Sequence, residues 1–401
     1  TYTGTSTISA GSIIIGADAG LGAAPGSASA GHFVFASGGS GTLNTTASFT
    51  LHANRGIALT GNGIINTNAS RTLTYAGVIA GSGTITKSGA GTLTLSGTNT
   101  YTGTTSVDNG VLAISNAAGL GATDGATTVA NAAALNISGG INVAEAITIS
   151  GSGVSNNGVI RSISGNNTLS GQITISAHAQ IQSDANTLTL NVASSSSITA
   201  SNKNITFDGA GNITVSDPIA TGSGTLTKTG SGTLTLSAAN TYTGASTISD
   251  GVLIATNATS LGTTDGATTI ANGAELKISG GINIGEAITV NGEGESSTGA
   301  IRSTSGNNTL SGLITLGSTT ANQSDDDTLT LDVSTGNAIT GSQTLKIRGQ
   351  GNITISDPVA IGSATLYKYN TGTLTLTGTN TQSRSYISGG VLSVNQDRAL
   401  G

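Results

Sequence analysis

The sequence lacks the residues from which most enzyme sites and most globular cores are built. Its 401 residues include no Cys, Met or Trp, only 3 Pro, and 3 % aromatic residues. The absence of Cys excludes thiol chemistry and cysteine-ligated zinc, and it suits an oxidising compartment in which stray thiols would cross-link. With so few large side chains, the core must be thin and made mainly of Ala, Val, Ile and Leu.

Charge is also scarce. Charged residues make up 8 % of the chain and the net charge is −6, against roughly a quarter charged residues in ordinary soluble domains. The 13 Lys and Arg form no basic stripe, which excludes nucleic acid as a partner. Disorder is disfavoured, because it combines low hydrophobicity with high charge. No signal peptide precedes Thr1, so we expect a fragment or mature segment of a longer protein.

Few residues offer catalytic or metal-binding chemistry. His32, His52 and His178 are isolated from one another and from any nucleophile motif. The run Asp325, Asp326 and Asp327 could supply oxygen ligands to Ca²⁺. The corresponding stretch one repeat earlier reads Asp184-Ala185-Asn186, which favours a solvated loop. The sequence therefore predicts no catalytic residue, no cofactor and no metal site, with these three Asp as the weak metal candidates.

Long internal repeats dominate the chain. The block at 81–112 recurs at 222–253, a third and weaker block lies at 362–392, and residues 1–13 match 100–112. Self-similarity of this kind is typical of solenoids, which bury their cores by stacking neighbouring units. We predict one continuous β-helix over 1–401, with repeat units at approximately 1–99, 100–240, 241–380 and the start of another at 381–401.

Short alternating segments predict β-strands with one buried face. In one such segment Leu93 and Leu95 alternate with Thr92 and Thr94, and alternation of this kind is the strand signature. Clusters of Gly, Asn, Ser and Asp between the segments are typical of tight turns. Because a closed barrel cannot repeat indefinitely, the recurrence favours an all-β, right-handed parallel β-helix forming an elongated rod, with about 20 to 25 residues per turn.

The repeated block resembles the passenger-associated transport repeat of autotransporters. The third block departs from the family pattern at Ala364, Asn370, Gln382 and Arg384, where the family has Gly, Gly, Tyr and Gly. We interpret the matching positions as structural residues of the motif. In the first two blocks they are Gly83, Lys87, Gly91, Leu93, Leu95, Asn99, Tyr101 and Gly103, and then Gly224, Lys228, Gly232, Leu234, Leu236, Asn240, Tyr242 and Gly244.

The resemblance implies an extracellular protein on the surface of a Gram-negative bacterium, anchored to or released from the outer membrane. It implies a C-terminal outer-membrane β-barrel of the same protein outside this chain. The expected function is a non-catalytic structural or adhesive rod that acts as a stalk, fibre or adhesin. The expected partners are further copies, associating laterally or end to end, and a receptor on a host or neighbouring cell.

Two other functions remain open. A polysaccharide-active β-helix enzyme would need clustered Asp, Arg or Lys in one groove. With 8 % charged residues, the chain has few side chains from which such a cluster could form. A ligand- or ice-binding Thr array would need Thr on every turn of one face. The Thr-x-Thr pairs, such as Thr92/Thr94 and Thr233/Thr235, instead follow the long repeat.

Two local contacts are also predicted. Arg161 and Glu145 recur as Arg302 and Glu286, and we expect each Arg–Glu pair to form an ion pair between neighbouring turns. Tyr101 and Tyr242 are expected to cover the edge of the core, with a ligand platform as the alternative.

Overall fold

The computed structural model describes residues 2–193 and 195–401, so Thr1, where the predicted first repeat unit begins, lies outside the described residues. The chain forms two compact units, residues 1–200 and 201–401. Each is a stack of parallel strands, with about 17 solenoid turns in the two units together. The predicted all-β parallel solenoid is therefore confirmed, whereas the division into repeat units stays a prediction.

The N-terminal unit also contains short 3-10 helices at Asp18–Leu21 and Val154–Asn156. Its strands are β1 Ser6–Ile8, β2 Gly11–Ile15, β3 Ser29–Phe35, β4 Ser40–Thr45, β5 Phe49–Leu51, β6 Arg55–Leu59, β7 Asn62–Thr67, β8 Thr72–Tyr75, β9 Ile79–Gly81, β10 Ile85–Ser88, β11 Thr92–Leu95, β12 Thr105–Val107, β13 Gly110–Ile114, β14 Thr127–Val129, β15 Ala133–Ser138, β16 Asn142–Val143, β17 Ile147–Gly151, β18 Ile160–Ser164, β19 Asn167–Leu169, β20 Ile173–Ser183, β21 Thr187–Leu190 and β22 Ile198–Ala200.

The C-terminal unit contains a 3-10 helix at Glu295–Ser297. Its strands are β23 Ile205–Asp208, β24 Asn212–Val215, β25 Ile219–Ala220, β26 Leu226–Lys228, β27 Thr233–Leu236, β28 Ser246–Ile248, β29 Val252–Ala255, β30 Thr268–Ile270, β31 Glu275–Ser279, β32 Asn283–Ile284, β33 Ile288–Gly292, β34 Ile301–Ser305, β35 Asn308–Leu310, β36 Ile314–Ser324, β37 Thr328–Leu331, β38 Ile339–Gly341, β39 Leu345–Arg348, β40 Asn352–Ile355, β41 Val359–Ala360, β42 Thr365–Lys368, β43 Thr373–Leu376, β44 Arg384–Ile387 and β45 Val391–Val394.

Strand pairing connects each turn with the next. In the N-terminal unit one position of the stack passes through Ile85, Thr105, Thr127, Ile147, Ile173 and Ile198. Along this column a turn takes between 20 and 26 residues, and the first turn of the chain is longer, since Gly11 lies beside Gly41. The register is kept within most strand pairs and shifts at β-bulges after Ile137 and Ile149.

The core is a set of aliphatic columns, one side chain deep. Inward positions of the strands stack on the same positions of the next turn, which excludes water from both and supplies most of the folding free energy. Each member of the clearest column is almost fully buried. The column consists of Leu73, Leu93, Leu112, Leu135, Ile160 and Ile181.

Outward positions carry mostly Thr, Ser and Asn. These residues suit a pleated surface because Thr is β-branched, and they are neutral, so stacking them every ~4.8 Å creates no repulsion between like charges. Among the described residues, no helix is long and apolar enough to cross a membrane.

Candidate functional site

Each repeated block places a lysine inside the solenoid. Lys87 points inward from β10 and is 1 % exposed. Its ammonium group donates to the carbonyls of Ser88 at 2.9 Å, Gly89 at 2.7 Å and Asn109 at 3.0 Å. An ammonium group has three donors and no acceptor, so these three carbonyls satisfy it, and Asn109 belongs to the following turn. Lys228 makes the three equivalent bonds, and Lys368 makes two of them, to the carbonyls of Tyr369 and Asn370.

Burial lowers the pKa of the Lys87 and Lys228 ammonium groups to about 8. Both therefore remain mainly charged at neutral pH. A charged donor strengthens a hydrogen bond to a carbonyl, and three such bonds offset part of the cost of removing the charge from water. The lysines act as internal caps on the bend of the chain that follows β10 or β26.

Glycines of the motif lie where the backbones of neighbouring turns approach too closely for a side chain. A Cβ on Gly83 would lie 1.9 Å from the carbonyl oxygen of Gly61, and a Cβ on Gly103 would lie 2.1 Å from that of Gly83. Any other residue there would force the turns apart. The same obstruction applies at Gly91, Gly224, Gly232 and Gly244.

A buried asparagine joins three consecutive turns. The Asn99 side-chain oxygen accepts the backbone N–H of Ile79 on the preceding turn at 3.0 Å. Its amide nitrogen donates to the carbonyl of Gly119 on the following turn at 2.8 Å. Asn240 makes the same pair of bonds with Ile219 at 2.8 Å and Ser260 at 2.6 Å. Because an amide offers both a donor and an acceptor, one side chain satisfies two buried backbone groups.

The motif tyrosines lie in the core and do not line a surface. Tyr101 and Tyr242 are 0 % exposed, so the prediction that they cover the edge of the core, and the alternative of a ligand platform, are wrong. The Tyr101 hydroxyl lies 2.6 Å from the Thr105 hydroxyl, which donates to the carbonyl of Leu120 at 3.2 Å. Tyr242 and Ser246 repeat this arrangement at 2.8 Å. Burial raises the pKa of both phenols above the usual value, so they stay neutral.

The third block keeps most of these contacts despite its substitutions, although Oε1 of Gln382 is buried without a partner. Asn380 bonds to Val359 and Ala399 as Asn99 bonds to its neighbours. Gln382 replaces the tyrosine and donates from its side-chain amide to the Ser385 hydroxyl at 3.2 Å. Asn370 replaces a glycine at a backbone φ of 59°, a conformation that Asn tolerates better than most residues. We call the buried Lys, Asn and Tyr or Gln of each block its polar clamp.

The motif leucines belong to the aliphatic core. Each is at most 1 % exposed. They lie on strands β11 and β27, where they alternate with outward threonines. The residues concerned are Leu93, Leu95, Leu234 and Leu236.

The predicted Arg–Glu ion pairs are wrong. Arg161 instead binds Asp184, with 2.7 Å between Nη2 and Oδ2. The register places Arg161 beside Gln182 of the next turn, and Asp184 lies two residues further on the same outward face. In the following repeat Arg302 binds Asp325 at 2.8 Å. Sequence separation alone could not locate these partners, because it does not determine the register.

The two glutamates are instead buried at a bend. Glu145 is 3 % exposed and its Oε1 accepts a hydrogen bond from the Thr127 hydroxyl at 2.7 Å. Glu286 does the same with Thr268 at 2.9 Å. In both carboxyls Oε2 is buried without a partner. Burial raises the pKa of Glu145 to about 7 and that of Glu286 to about 8, although the threonine bond acts in the opposite direction.

The metal candidates do not converge. Asp325 is occupied by Arg302, and the Asp327 carboxylate accepts the backbone N–H of Gly306 at 2.7 Å. Within residues 2–193 and 195–401, no group of three or more His, Cys, Asp or Glu could hold a metal ion. His32 is buried beside Arg55, with 3.4 Å between Nδ1 and Nη1, while His52 accepts the Asn54 N–H at 3.2 Å.

A continuous threonine column was missed by the sequence analysis. The Thr-x-Thr pairs do not form it, since Thr233 lies beside Val252. Another outward position carries Thr on seven successive turns of the C-terminal unit. These residues are Thr206, Thr227, Thr247, Thr269, Thr289, Thr315 and Thr340. In the sequence these Thr recur once per turn, and the number of residues between them varies because the turns differ in length.

Comparison with known families places the polar clamps in a recognised repeat. Residues 85–114, 226–255 and 366–394 match the family model described as the passenger-associated-transport-repeat. The predicted resemblance is thus confirmed at three places, including the divergent third block. Repeats of this family indicate an autotransporter passenger and secretion to the cell surface of a Gram-negative bacterium. No curated protein and no solved structure matches the chain significantly.

Replacement of a clamp asparagine should destabilise the solenoid. In Asn240→Ala, the Ile219 N–H and the Ser260 carbonyl lose their partners inside the core, and we expect a loss of about 2–4 kcal/mol in the free energy of unfolding. Urea unfolding measures the change. Thr241→Ala, which alters an exposed neighbour, is the matched control and should stay within about 0.5 kcal/mol of the parent. Equal stability of the two variants would show that the asparagine bridge is dispensable.

Stability should also depend on the pH through Glu145 and Glu286. Their folded pKa values lie above the ordinary 4.5. The neutral carboxyls therefore stabilise the fold fully below pH 4.5. This stabilisation is lost as the pH rises through about 7 for Glu145 and about 8 for Glu286. We expect the free energy of unfolding to fall by about 2–3 kcal/mol per site between roughly pH 5 and pH 8.

Urea midpoints across this pH range measure the effect. The double variant Glu145→Gln/Glu286→Gln should remove most of the slope, because Gln cannot ionise. Asp124→Asn, at an exposed turn, is the control and should keep the slope. A parent protein whose midpoint stays constant over this range would contradict the assignment.

Proposed function

We propose that this chain is a stretch of an autotransporter passenger that acts outside the cell as a non-catalytic structural and adhesive support. The observation that carries the proposal is the polar clamp of each matched repeat. Its asparagine bonds to the turns on both sides, so every clamp fixes the spacing and register of three turns. Such clamps suit a protein that must fold outside the cell without chaperones and without ATP.

The clamps favour folding in sequence along the chain. The side-chain oxygen of Asn99 can accept the Ile79 N–H as soon as the turn that contains Asn99 has formed. Its amide nitrogen can donate to the Gly119 carbonyl only after the following turn has formed. Each turn thereby provides a template for the next, as nearest-neighbour stacking requires in solenoids. In the proposed account the same protein is anchored in the outer membrane by a C-terminal barrel or is released from it.

Surface display tests this function. The chain is fused between a signal peptide and an autotransporter barrel in a Gram-negative host, with an epitope tag at its N-terminus. We expect the tag to be accessible to antibody on intact cells and the chain to resist added protease. The triple variant Asn99→Ala/Asn240→Ala/Asn380→Ala should be degraded several times faster, whereas Thr241→Ala should behave as the parent. A chain retained in the periplasm, or clamps without effect on protease resistance, would contradict the proposal.

Catalysis is tested on the same purified chain. Incubation with soluble polysaccharides should release no reducing ends. Progressive release of reducing ends would contradict the non-catalytic part of the proposal and favour a polysaccharide-active enzyme.

We also infer lateral association of copies through the threonine column. The column carries hydroxyl and methyl groups and no charge over seven turns, so two such faces can meet without repulsion. A column of seven turns is about 30 Å long and one side chain wide. The area that it can bury is therefore smaller than that of a standard interface, and we expect the contact to be weak. Binding to a receptor on a host or neighbouring cell would use other surfaces.

Sedimentation velocity over a concentration series tests this association. We expect the mean sedimentation coefficient to rise with concentration, and Thr269→Lys/Thr289→Lys to abolish the rise by placing like charges on the face. Asn109→Lys, on a bend outside the column, is the control. A parent protein that stays monomeric throughout would contradict the inference.

A further inference from the structure

A polar cavity opens on the surface of the C-terminal unit. Its volume is about 840 Å³, and its lining includes amides, hydroxyls and one carboxylate. Over the part of the chain that the structure describes, the side chains of Asn272, Thr319 and Gln343 make no hydrogen bond. Their donors and acceptors are therefore free for a ligand. The lining residues that matter here are Asn272, Asn291, Glu293, Ser318, Thr319 and Gln343.

The carboxylate in the lining is held by two cations. Lys346 donates to Oε1 of Glu293 and Arg348 donates to Oε2, while Arg348 also donates to the carbonyl of Ser297. Burial would raise the pKa of Glu293, but these two partners outweigh it and hold the pKa below the usual value. Both cations lie on β39, two turns beyond the glutamate. The wall of the cavity is thus ordered before any ligand binds.

An aromatic cluster continues this surface along the stack. The Arg348 guanidinium lies 5.9 Å from the centre of the Tyr369 ring. Tyr369 is stacked on Tyr367, with 5.8 Å between ring centres and 7° between planes. Tyr367 lies 5.5 Å from Tyr386, which is 58 % exposed. The chain has only seven Tyr, and three of them are gathered here. We call the cavity and this cluster together the tyrosine groove.

The solenoid itself does not require these residues. One repeat earlier, the positions of Glu293, Arg348, Tyr367 and Tyr369 are occupied by small or oppositely charged residues. Stacking of turns is equally satisfied by the earlier set, so the tyrosine groove is an addition to the fold. The corresponding residues are Ser152, Asp208, Thr227 and Thr229.

We propose that the tyrosine groove binds a neutral polysaccharide that runs along the stack of turns. This inference rests on the proposed location outside the cell and specifies the ligand class of the adhesive surface. Sugar hydroxyls are matched by the free amides and hydroxyls of the cavity, and the C–H faces of sugar rings pack against exposed aromatic rings. The spacing of turns, ~4.8 Å, is close to the length of one sugar residue, so successive sugar residues can lie against successive turns.

Charge favours a neutral ligand over an acidic one. Lys346 and Arg348 supply two positive charges, and Glu293 with the neighbouring Glu295 supplies two negative charges. Because both cations are already bonded to Glu293, they offer little attraction to a carboxylate on the ligand. An acidic polysaccharide would also meet the Glu293 carboxylate in the cavity wall.

Native gel electrophoresis in gels containing polysaccharide tests the proposal. The probes are hydroxyethylcellulose, dextran and galactomannan as neutral chains, and polygalacturonate as the acidic chain. We expect at least one neutral chain to retard the purified protein, with about tenfold weaker binding for Asn272→Ala/Gln343→Ala through the loss of its hydrogen bonds. Tyr367→Thr/Tyr369→Thr, which restores the residues of the preceding repeat, should also bind more weakly. Asn131→Ala, at the position of Asn272 one repeat earlier, is the matched control and should bind as the parent.

Thermal unfolding of each variant separates a lost contact from a lost fold. The proposal is overturned if no neutral probe retards the parent, if only polygalacturonate does, or if the tyrosine groove variants are retarded as strongly as the parent. Each of these outcomes leaves the surface-display experiment unaffected, so failure of the ligand class is distinguishable from failure of the proposed function.

Discussion

Buried backbone polar groups at the bends are the constraint on which this solenoid depends. Strands pair with the turns on either side, but the bends between them leave N–H and carbonyl groups in a core that water does not reach. An unpaired buried group costs about 1–3 kcal/mol, and the defect would recur in each repeated block. The polar clamps meet this constraint with side chains, since Asn99 satisfies one turn before it and one after it, and Lys87 satisfies three carbonyls at once.

The other features of the chain are consistent with the same constraint. Glycines of the motif allow the backbones of adjacent turns to approach closely enough for the clamp bonds to form. In the third block Gln382 replaces the tyrosine and still bonds to Ser385, and the Asn370 carbonyl still accepts a bond from Lys368. The clamp bonds require donors and acceptors only at inward positions, so the outward positions can carry other residues, such as those of the tyrosine groove.

Much of the fold was predictable, because alternating residues and long repeats both report on stacking of turns. The resemblance to the passenger-associated transport repeat identified Lys87, Asn99 and Tyr101 as motif positions. It did not indicate that these side chains point inward, and Tyr101 was expected at the edge of the core. Lysine and asparagine are mostly exposed in folded proteins, so the residue type alone predicts that these side chains face the solvent.

Features that depend on register could not be predicted. Arg161 was expected to pair with Glu145, yet its partner Asp184 becomes apparent only when turns of 20 to 26 residues are aligned. The threonine column was hidden for the same reason, since its members recur at unequal intervals. Glu293, Lys346 and Arg348 are separated by about two turns in sequence and come together only in the fold.

Hydrogen exchange along the intact chain tests the central role of the clamps most directly. The amides of Ile79, Ile219 and Val359 donate to the clamp asparagines. They should be among the slowest to exchange, with protection falling in the turns between the repeats. Fast exchange at these three amides, with the strongest protection in the intervening turns, would contradict the account.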